Sequence, residues 1–352
     1  MIDSIRLQNF RSYSDESFEF EPGVNIIVGP NASGKTNLLE AVLVLAQGGS
    51  YKAKDSDLLR IGKPWARLDG HFGEQARSLK LAAKDGLLKK TFLINDKEHK
   101  RLRLELTLPV VFFEPNHLHI ISRGPEQRRE YIDDLLARTQ PDYKALVARY
   151  RRALAQRNTL LKFGHRRAAD QLFAWDVRLS ELGAKIAEGR NGLINDINKG
   201  ISKSYSGIAG SKSSAGLEYL SHFPADRYAS RLLSKLQAST ELDFKRGFTA
   251  YGPHREDIAF YLNKKPLGQT ASRGETRSLL LALKIFELDL LEKTRGQKPI
   301  MLLDDVFSEL DGKRRQSLVG SLSDHQTIIT TTDADAVLQH FTRQANLIPL
   351  QK

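Results

Sequence analysis

The chain has 352 residues, a formal charge of +12 at pH 7 and no cysteine. This length suits one large domain or two moderate ones, and the lack of cysteine excludes disulfides and thiolate metal sites. The longest uninterrupted apolar stretch, residues 41–46, is far shorter than the roughly 20 residues of a membrane helix. The polar N-terminus also lacks the apolar centre of a signal peptide. We therefore expect a cytoplasmic protein, and its basic charge favours a polyanionic partner.

The first third of the chain is expected to form strands around one helix. Apolar residues alternate between 5 and 10 and recur at 18 and 20, which predicts two short strands joined by a polar turn, 12–17. A continuous apolar strand at 24–28 precedes a glycine-rich turn and a helix over 36–46. Several strand-like runs follow over 66–113. The Asn95-Asp96 pair predicts a hairpin among them.

The middle of the chain has a helical pattern, and strand patterns return after it. Helices are predicted over 127–137, 142–162, 169–198 and 275–292, and buried strands over 299–303 and 326–331. This order predicts an α/β fold in which a core, residues 1–118 and 245–352, is split by a mainly helical insertion, residues 119–244. Two sequential domains remain the alternative.

Residues 29–36, GPNASGKT, match the phosphate-binding pattern G-x-x-x-x-G-K-[ST] between a strand and a helix. In such a loop, Lys35 reaches the β- and γ-phosphate oxygens of ATP, and the Thr36 hydroxyl binds Mg²⁺. The backbone N–H groups of the loop and of the following helix surround the phosphates. The expected ATP-binding residues are Gly29, Pro30, Asn31, Ala32, Ser33, Gly34, Lys35, Thr36 and Asn37.

Two acidic residues follow the buried strand at residues 300–303. Asp304 suits a direct or indirect contact with Mg²⁺, and Asp305 is placed to orient or deprotonate the attacking water. The alternative is an exposed acidic pair after a core strand.

Another candidate anion site precedes this strand in the sequence. Ser272, Arg273 and Gly274 stand just before an amphipathic helix and could bind the nucleotide of a partner chain. An ordinary helix N-cap is the alternative for Ser272.

These motifs, taken in order, resemble the RecF family of recombination-repair ATPases, which is related to the heads of SMC and Rad50 proteins. The resemblance spans nearly the whole chain. Its blocks are IRLQNFRSY, PGVNIIVGPNASGKTNLLEAV, SDLLRIG, RGPEQRREYID, YGPHRED, SRGETRSLLLALK, LLDDVFSELD and QTIITTTDAD. The resemblance implies a P-loop NTPase fold with an ABC-type ATPase head, in which two subunits enclose two ATP molecules.

The resemblance also implies roles for single residues. Ser272, Arg273 and Gly274 would act on the γ-phosphate bound by the partner, and Asp311 would lie at the dimer seam. Thr331 or Thr332 occupies the region of a γ-phosphate sensor, and Arg11 matches a position near the nucleotide. The family binds DNA at single-strand gaps and works with RecO and RecR to load RecA.

The chain departs from the family pattern at three places. Ala32 stands where a glycine is common, and Glu275 where glutamine is usual. Asn116-His117 replaces two expected acids, which leaves the glutamine-loop equivalent unassigned. Asp305 agrees with the family but is one methylene shorter than the glutamate of ABC transporters, so we expect slow ATP hydrolysis that acts as a switch.

Residues 143–167 contain eight Lys or Arg and no acidic residue. On a helix, Lys144, Arg151, Arg152 and Lys162 share one face that could contact DNA phosphates, although a solvated face is the alternative. Arg157 falls near the apolar face and breaks the pattern. Arg128 and Arg129 are weaker candidates for DNA binding. No regular aromatic spacing predicts base stacking, which favours binding of the DNA backbone.

Three functions are compatible with these patterns. The first is an ATP-switched DNA-binding repair mediator with weak, DNA-stimulated ATPase activity. The second is a P-loop enzyme that does not act on DNA, which leaves the basic insertion unexplained. The third is an SMC-like structural head, which the absence of sustained heptads in the insertion disfavours.

Overall fold

A computed structural model of the protein describes residues 1–84, 87–163, 169–267, 272–307, 310–322, 324–341 and 345–351. The chain folds into two compact units. The first unit consists of Met1–His117, Ile208–Gly210 and Lys284–Lys352, and the second of Leu118–Gly207 and Ser211–Leu283. The first break lies one residue from the predicted 118/119 boundary. Residues 245–283, which we assigned to the head, group with the second unit instead.

The elements of the described ranges follow the predicted order closely. The strands are β1 Ser4–Phe10, β2 Tyr13–Glu19, β3 Val24–Val28, β4 Trp65–Phe72, β5 Gln75–Lys84, β6 Leu87–Ile94, β7 Lys97–His99, β8 Val110–Phe113, β9 Ala215–Leu220, β10 Asp257–Leu262, β11 Lys265–Pro266, β12 Ile300–Asp304, β13 Thr327–Thr331 and β14 Asn346–Pro349. The helices are α1 Lys35–Gln47, α2 His119–Ser122, α3 Pro125–Thr139, α4 Tyr143–Phe163, α5 Ala169–Asn198, α6 Ile201–Ala209, α7 Tyr228–Ala238, α8 Thr240–Arg246, α9 Arg273–Arg295, α10 Gly312–Leu322 and α11 Asp335–Leu338.

A parallel sheet in the order β14-β3-β13-β12-β8 positions the phosphate loop and the acidic pair. Its central strands β12 and β13 are buried on both faces, as predicted, although β13 contains three threonines. Because β3 and β12 run in the same direction, with β13 between them, the residues that follow them meet at one edge of the sheet.

Helix α1 lies between this parallel sheet and a second, antiparallel sheet in the order β2-β1-β4-β5-β6-β7. Residues 38–46 are buried around the whole helix because both sheets cover it. The predicted hairpin is confirmed: Asn95 and Asp96 have φ of 45° and 63° and join β6 to β7. The predicted turn at 12–17 is wrong, because β2 begins at Tyr13 and most of that segment is strand.

The second unit contains α3, α4, α5 and α7 together with an antiparallel sheet in the order β11-β10-β9. The sequence patterns did not predict β9, because its few apolar residues lie between helical patterns. Pairing with β9 also explains why β10 groups with the second unit. Residues 247–256, all described, lead into β10 without strand structure.

In the parts of the chain that the structure describes, every helix is too short or too polar to cross a bilayer.

Candidate functional site

The loop between β3 and α1 has the backbone that its glycines predict. Gly34 has a φ of 100°, and a Cβ at this position would lie 2.9 Å from the Tyr13 hydroxyl oxygen. That hydroxyl donates a hydrogen bond to the Gly34 carbonyl oxygen at 3.0 Å, which fixes the loop against β2. Ala32 has a φ of 65°, a region that L-residues with a Cβ rarely adopt. The steric cost at Ala32 explains why related loops prefer glycine there.

The inside of this loop is prepared for anionic oxygens. The Lys35 ammonium is buried and donates hydrogen bonds to the carbonyl oxygens of Gly29 at 2.7 Å and Pro30 at 2.9 Å. The Ser33 hydroxyl is also buried and has no hydrogen-bond partner among the residues that the structure describes. A buried hydroxyl without a partner costs free energy. Phosphate oxygens would satisfy Ser33 and attract Lys35, so the loop fits a nucleoside triphosphate.

Thr36 and Asp304, which are 268 positions apart in sequence, are in direct contact. The Thr36 hydroxyl lies 2.9 and 3.0 Å from the two carboxylate oxygens of Asp304. The Thr330 hydroxyl donates a further hydrogen bond to Asp304 at 2.7 Å. Hydroxyl and carboxylate oxygens are ligands that Mg²⁺ prefers. The predicted pair of magnesium ligands therefore meets at the sheet edge beside the loop.

Asp305 follows Asp304 in a constrained backbone conformation. Its φ is 53°, and its backbone N–H donates a hydrogen bond to the Thr330 hydroxyl at 2.9 Å. Asparagine and aspartate tolerate this left-handed region better than most residues. The left-handed turn at this position therefore suits an aspartate.

A cavity of about 430 Å³ opens beside the loop. It is lined by Ser12, Tyr13, Glu16, Phe18, Ala32, Ser33, Pro349, Leu350 and Gln351. The rings of Tyr13 and Phe18 form an edge-to-face pair 5.5 Å apart. Aromatic walls next to a phosphate loop fit the apolar faces of a nucleoside.

The sequence analysis missed Glu114, which follows β8 at the same sheet edge. Its carboxylate accepts a hydrogen bond from the Tyr51 hydroxyl at 3.1 Å. Burial raises the pKa of the Glu114 carboxyl above its ordinary value, and the negative charge of Asp304 adds to this increase. An acid directly after a buried strand was the signal that identified Asp304, and it would also have found Glu114.

Arg11, for which the resemblance implied a position near the nucleotide, pairs with a buried acid of α1. Its guanidinium forms two hydrogen bonds, of 2.7 and 2.9 Å, with the fully buried carboxylate of Glu40 on α1. The Ser50 hydroxyl donates to the same carboxylate at 2.5 Å. Arg11 therefore compensates the buried charge of Glu40, and its contact with the nucleotide stays a prediction.

The start of α9 carries a reciprocal capping box. Glu275 accepts hydrogen bonds from the backbone N–H of Ser272 at 2.8 Å and from its hydroxyl at 2.9 Å, and the Glu275 N–H contacts that hydroxyl at 3.2 Å. Glu275, the unusual residue of this motif, is thus half of the cap. Ser272 and Arg273 are exposed, and Gly274 is half-buried.

Two further residues implied by the resemblance lie at turns of the first unit. Asp311 accepts a hydrogen bond from the Arg314 backbone N–H at 3.0 Å and forms an ion pair with its guanidinium, so it caps α10. Thr332 is exposed directly after β13. The Thr331 hydroxyl instead contacts the backbone of Asp333.

The basic candidates for DNA binding separate into two groups. Lys144, Arg151, Arg152 and Lys162 are all exposed on α4, as predicted. Arg128 instead forms a bidentate ion pair with Asp257, in which both nitrogen–oxygen distances are 2.8 Å. Arg129 donates a hydrogen bond to the Glu256 carbonyl oxygen at 2.6 Å. These contacts hold α3 against β10 and occupy both guanidinium groups, and DNA contact by the two arginines stays a prediction.

Arg157, which broke the helical pattern, is a fully buried cation. It lies 2.6 Å from a carboxylate oxygen of Asp176 and 2.7 Å from one of Asp243, both also buried. It further donates to the Thr249 hydroxyl at 2.9 Å. The Arg157 cation on the apolar face of α4 therefore links α4, α5 and α8.

Known proteins resemble this chain over nearly its whole length. The family model described as RecF/RecN/SMC N terminal domain matches residues 1–348. A relative from Halalkalibacterium halodurans, called DNA replication and repair protein RecF, is 32% identical over 100% of this chain and 98% of its own length. The chain belongs to the RecF family. A second RecF relative, from Agathobacter rectalis, is 35% identical over 97% of this chain and 94% of its own.

Solved structures of a RecF protein and of an SMC head have the same fold as this RecF-family chain. A structure of the recombination mediator protein RecF-ATPrS in the RecFOR pathway has a TM-score of 0.85 at 31% identity, covering 96% of this chain and 94% of that one. An SMC head bound to the C-winged helix domain of ScpA has a TM-score of 0.53 at 17% identity, covering 96% and 91%. The second likeness concerns the fold alone: an α/β ATPase head.

Proposed function

We propose that this chain is an ATP-switched DNA-binding protein of recombinational gap repair. It binds single- and double-stranded DNA at gaps and, with RecO and RecR, aids the loading of RecA. The contact between Thr36 and Asp304 carries the nucleotide part of this proposal, because it joins the two predicted magnesium ligands beside a phosphate loop. The RecF relatives, which are called DNA replication and repair proteins, support the DNA part.

In this proposal ATP and Mg²⁺ bind to the loop and to the sheet edge beside it. Bound ATP supplies a phosphoanhydride bond, and hydrolysis of this bond resets the switch. Lys35 neutralises phosphate charge, and Thr36 and Asp304 hold the cation. Asp305 orients or deprotonates the attacking water. Its short side chain fits slow hydrolysis, so the chain uses ATP for switching rather than for rapid turnover.

The proposed switch is a homodimer that ATP holds together. Ser272, Arg273 and Gly274 serve the nucleotide of the partner subunit, with Asp311 and Thr332 near the seam. The exposure of Ser272 and Arg273 at the N-terminus of α9 supports this, because the arginine cation and the positive end of the helix dipole attract anions there. One nucleotide rarely needs two helix N-termini from the same chain.

Two substitutions should move the dimer in opposite directions. Asp305→Asn keeps a residue that tolerates the left-handed backbone but removes the carboxylate that deprotonates the attacking water. ATP should then stay bound without being hydrolysed, and because ATP holds the two subunits together, the dimer should accumulate by mass action. Ser272→Arg should prevent dimer formation while each monomer still binds ATP. Light scattering with saturating ATP measures both effects. A monomeric Asp305→Asn or a dimeric Ser272→Arg protein would contradict the arrangement.

The exposed basic face of α4 supplies the proposed contacts with the DNA backbone. Changing Arg151 and Arg152 together to alanine should flatten the slope of log K against log salt by roughly 0.9 per lost duplex contact. Fluorescence anisotropy on a gapped duplex with saturating ATP measures this slope. Lys203→Ala with Arg231→Ala removes the same charge from positions elsewhere in the second unit and is the control. An equal slope in both double variants would show that the α4 face is merely solvated.

The test of the whole proposal is retardation of gapped DNA with and without ATP. ATP should strengthen binding, and a poorly hydrolysed analogue should strengthen it at least as much. A P-loop enzyme that does not act on DNA would bind ATP without changing the mobility of the DNA. That result would overturn the proposed function.

A further inference from the structure

A basic groove with an aromatic wall lies between α4 and α5. Its volume is about 520 Å³, and it is lined by Arg149, Arg152, Ala153, Gln156, Trp175 and Arg178. The α4 residues recur at spacings of three, four and seven, which places them on one helical face. Trp175 and Arg178 are three positions apart on α5 and face this stripe.

The two helices hold this groove in a fixed register. They run antiparallel, since Gly189 on α5 lies against the Tyr143 ring while Asp176 contacts Arg157. Asp176, which forms a buried ion pair with Arg157, directly follows Trp175 in sequence. This ion pair therefore fixes the position of Trp175 in the groove wall. The inner part of Trp175 packs against the apolar core of the second unit, and the rest of its side chain lines the groove.

The charge of the groove is largely uncompensated. Neither Arg149 nor Arg152 has an acidic partner in the described part of the chain. Arg178 lies 3.5 Å from Glu181, but both side chains are about half exposed, and an exposed pair of this kind contributes little. Three cations around an aromatic face are complementary to a phosphate chain that carries a planar base.

We infer that this groove binds an unpaired nucleotide of DNA, with its base stacked on Trp175 and its phosphates held by the three arginines. This inference rests on the proposed DNA-binding function and adds a preference for the single-stranded part of a gap. Inside a duplex the base faces are covered by stacking on their neighbours, so the indole can stack on an unpaired base but not on an internal base pair. The exposed face of α4 contacts the backbone of the same DNA.

The chain allows a direct optical test, because its two tryptophans are Trp65 and Trp175. In a Trp65→Phe background, an oligonucleotide of dT should quench the emission of Trp175, and a blunt duplex of equal length should not. Quenching should persist in salt that weakens purely electrostatic contacts. Equal quenching by the duplex, or none by dT, would overturn the inference.

Substitution gives the second arm of the test, with wild-type background and saturating ATP. Trp175→Ala should weaken binding of a gapped duplex by roughly ten- to hundredfold and hardly change binding of a blunt duplex. Trp175→Phe, which retains a ring, should recover most of this loss. Phe173→Ala, which removes an exposed aromatic ring from the same helix outside the groove, is the matched control and should bind like wild type.

The outcomes separate this inference from the proposed function. If the wild-type chain shows no ATP-dependent binding of gapped DNA, the proposed function fails. If that binding is present but Trp175→Ala leaves it unchanged, the groove inference alone fails. An equal loss on gapped and blunt DNA, together with a lower thermal midpoint, would assign Trp175 to packing and would also overturn the inference.

Discussion

Lys35→Ala should abolish ATP-dependent binding of DNA while leaving the chain folded. The ammonium is buried inside the loop and contacts the Gly29 and Pro30 carbonyl oxygens, which places it where the phosphates would lie. Hydrogen bonds to charged groups contribute about 1.5–3 kcal/mol, so losing one should weaken ATP binding by roughly ten- to hundredfold. Calorimetric titration with ATP and retardation of gapped DNA measure the two effects.

Two further variants make this result specific. Lys63→Ala removes the same charge from an exposed position of the first unit and should bind ATP and DNA normally. Thr36→Ala should retain binding of ATP without Mg²⁺ but lose the gain in affinity that Mg²⁺ provides. If Lys35→Ala still bound DNA in an ATP-dependent way, the assignment of the phosphate loop would be wrong.

Arg157→Ala should lower the free energy of unfolding by about 3–5 kcal/mol, because it leaves two carboxylates buried without their cation. Urea unfolding at neutral pH measures this change. Arg151→Ala on the exposed side of the same helix should change stability by less than about 0.5 kcal/mol. A small effect of Arg157→Ala would mean that water or another cation compensates the two acids.

The pKa of Asp176 determines how the stability of Arg157→Ala should change with pH. Burial already raises the pKa of Asp176, and removal of the Arg157 charge should raise it further. A carboxyl whose pKa is higher in the folded state than in the unfolded state takes up its proton on folding, so it stabilises the fold as pH falls. The gap in stability between Arg157→Ala and wild type should therefore narrow as pH is lowered from neutral, as long as both remain folded.

Sequence patterns were reliable where the physics is local. The helix over 169–198 was predicted with the bounds that the structure has, and α4 differs by one residue at each end. Helical periodicity and capping depend on neighbours a few positions apart, so the chain itself contains that information. The phosphate loop is equally local, and its partner Asp304 was identified because parallel strands end at one sheet edge.

Charged residues were harder to interpret, because their role depends on what the rest of the chain brings to them. Arg128 and Arg129 have the sequence of a basic patch, yet β10 and the residue before it, about 130 positions away, supply their partners. Arg11 has the position of a nucleotide ligand, and Glu40 engages it. A guanidinium binds the nearest carboxylate that folding provides, and sequence distance does not reveal that carboxylate.

The amino-acid sequence by itself determined the α/β class, the phosphate loop, the acidic pair and the order of the elements. Only the tertiary structure decided that residues 245–283 group with the second unit, that Arg157 is buried, and that Trp175 joins the arginines of α4 in one groove. The physical reason is the distance along the chain between the residues that interact. Periodicity and turn chemistry act between near neighbours, whereas the burial of a charge or the making of a groove depends on packing between distant segments.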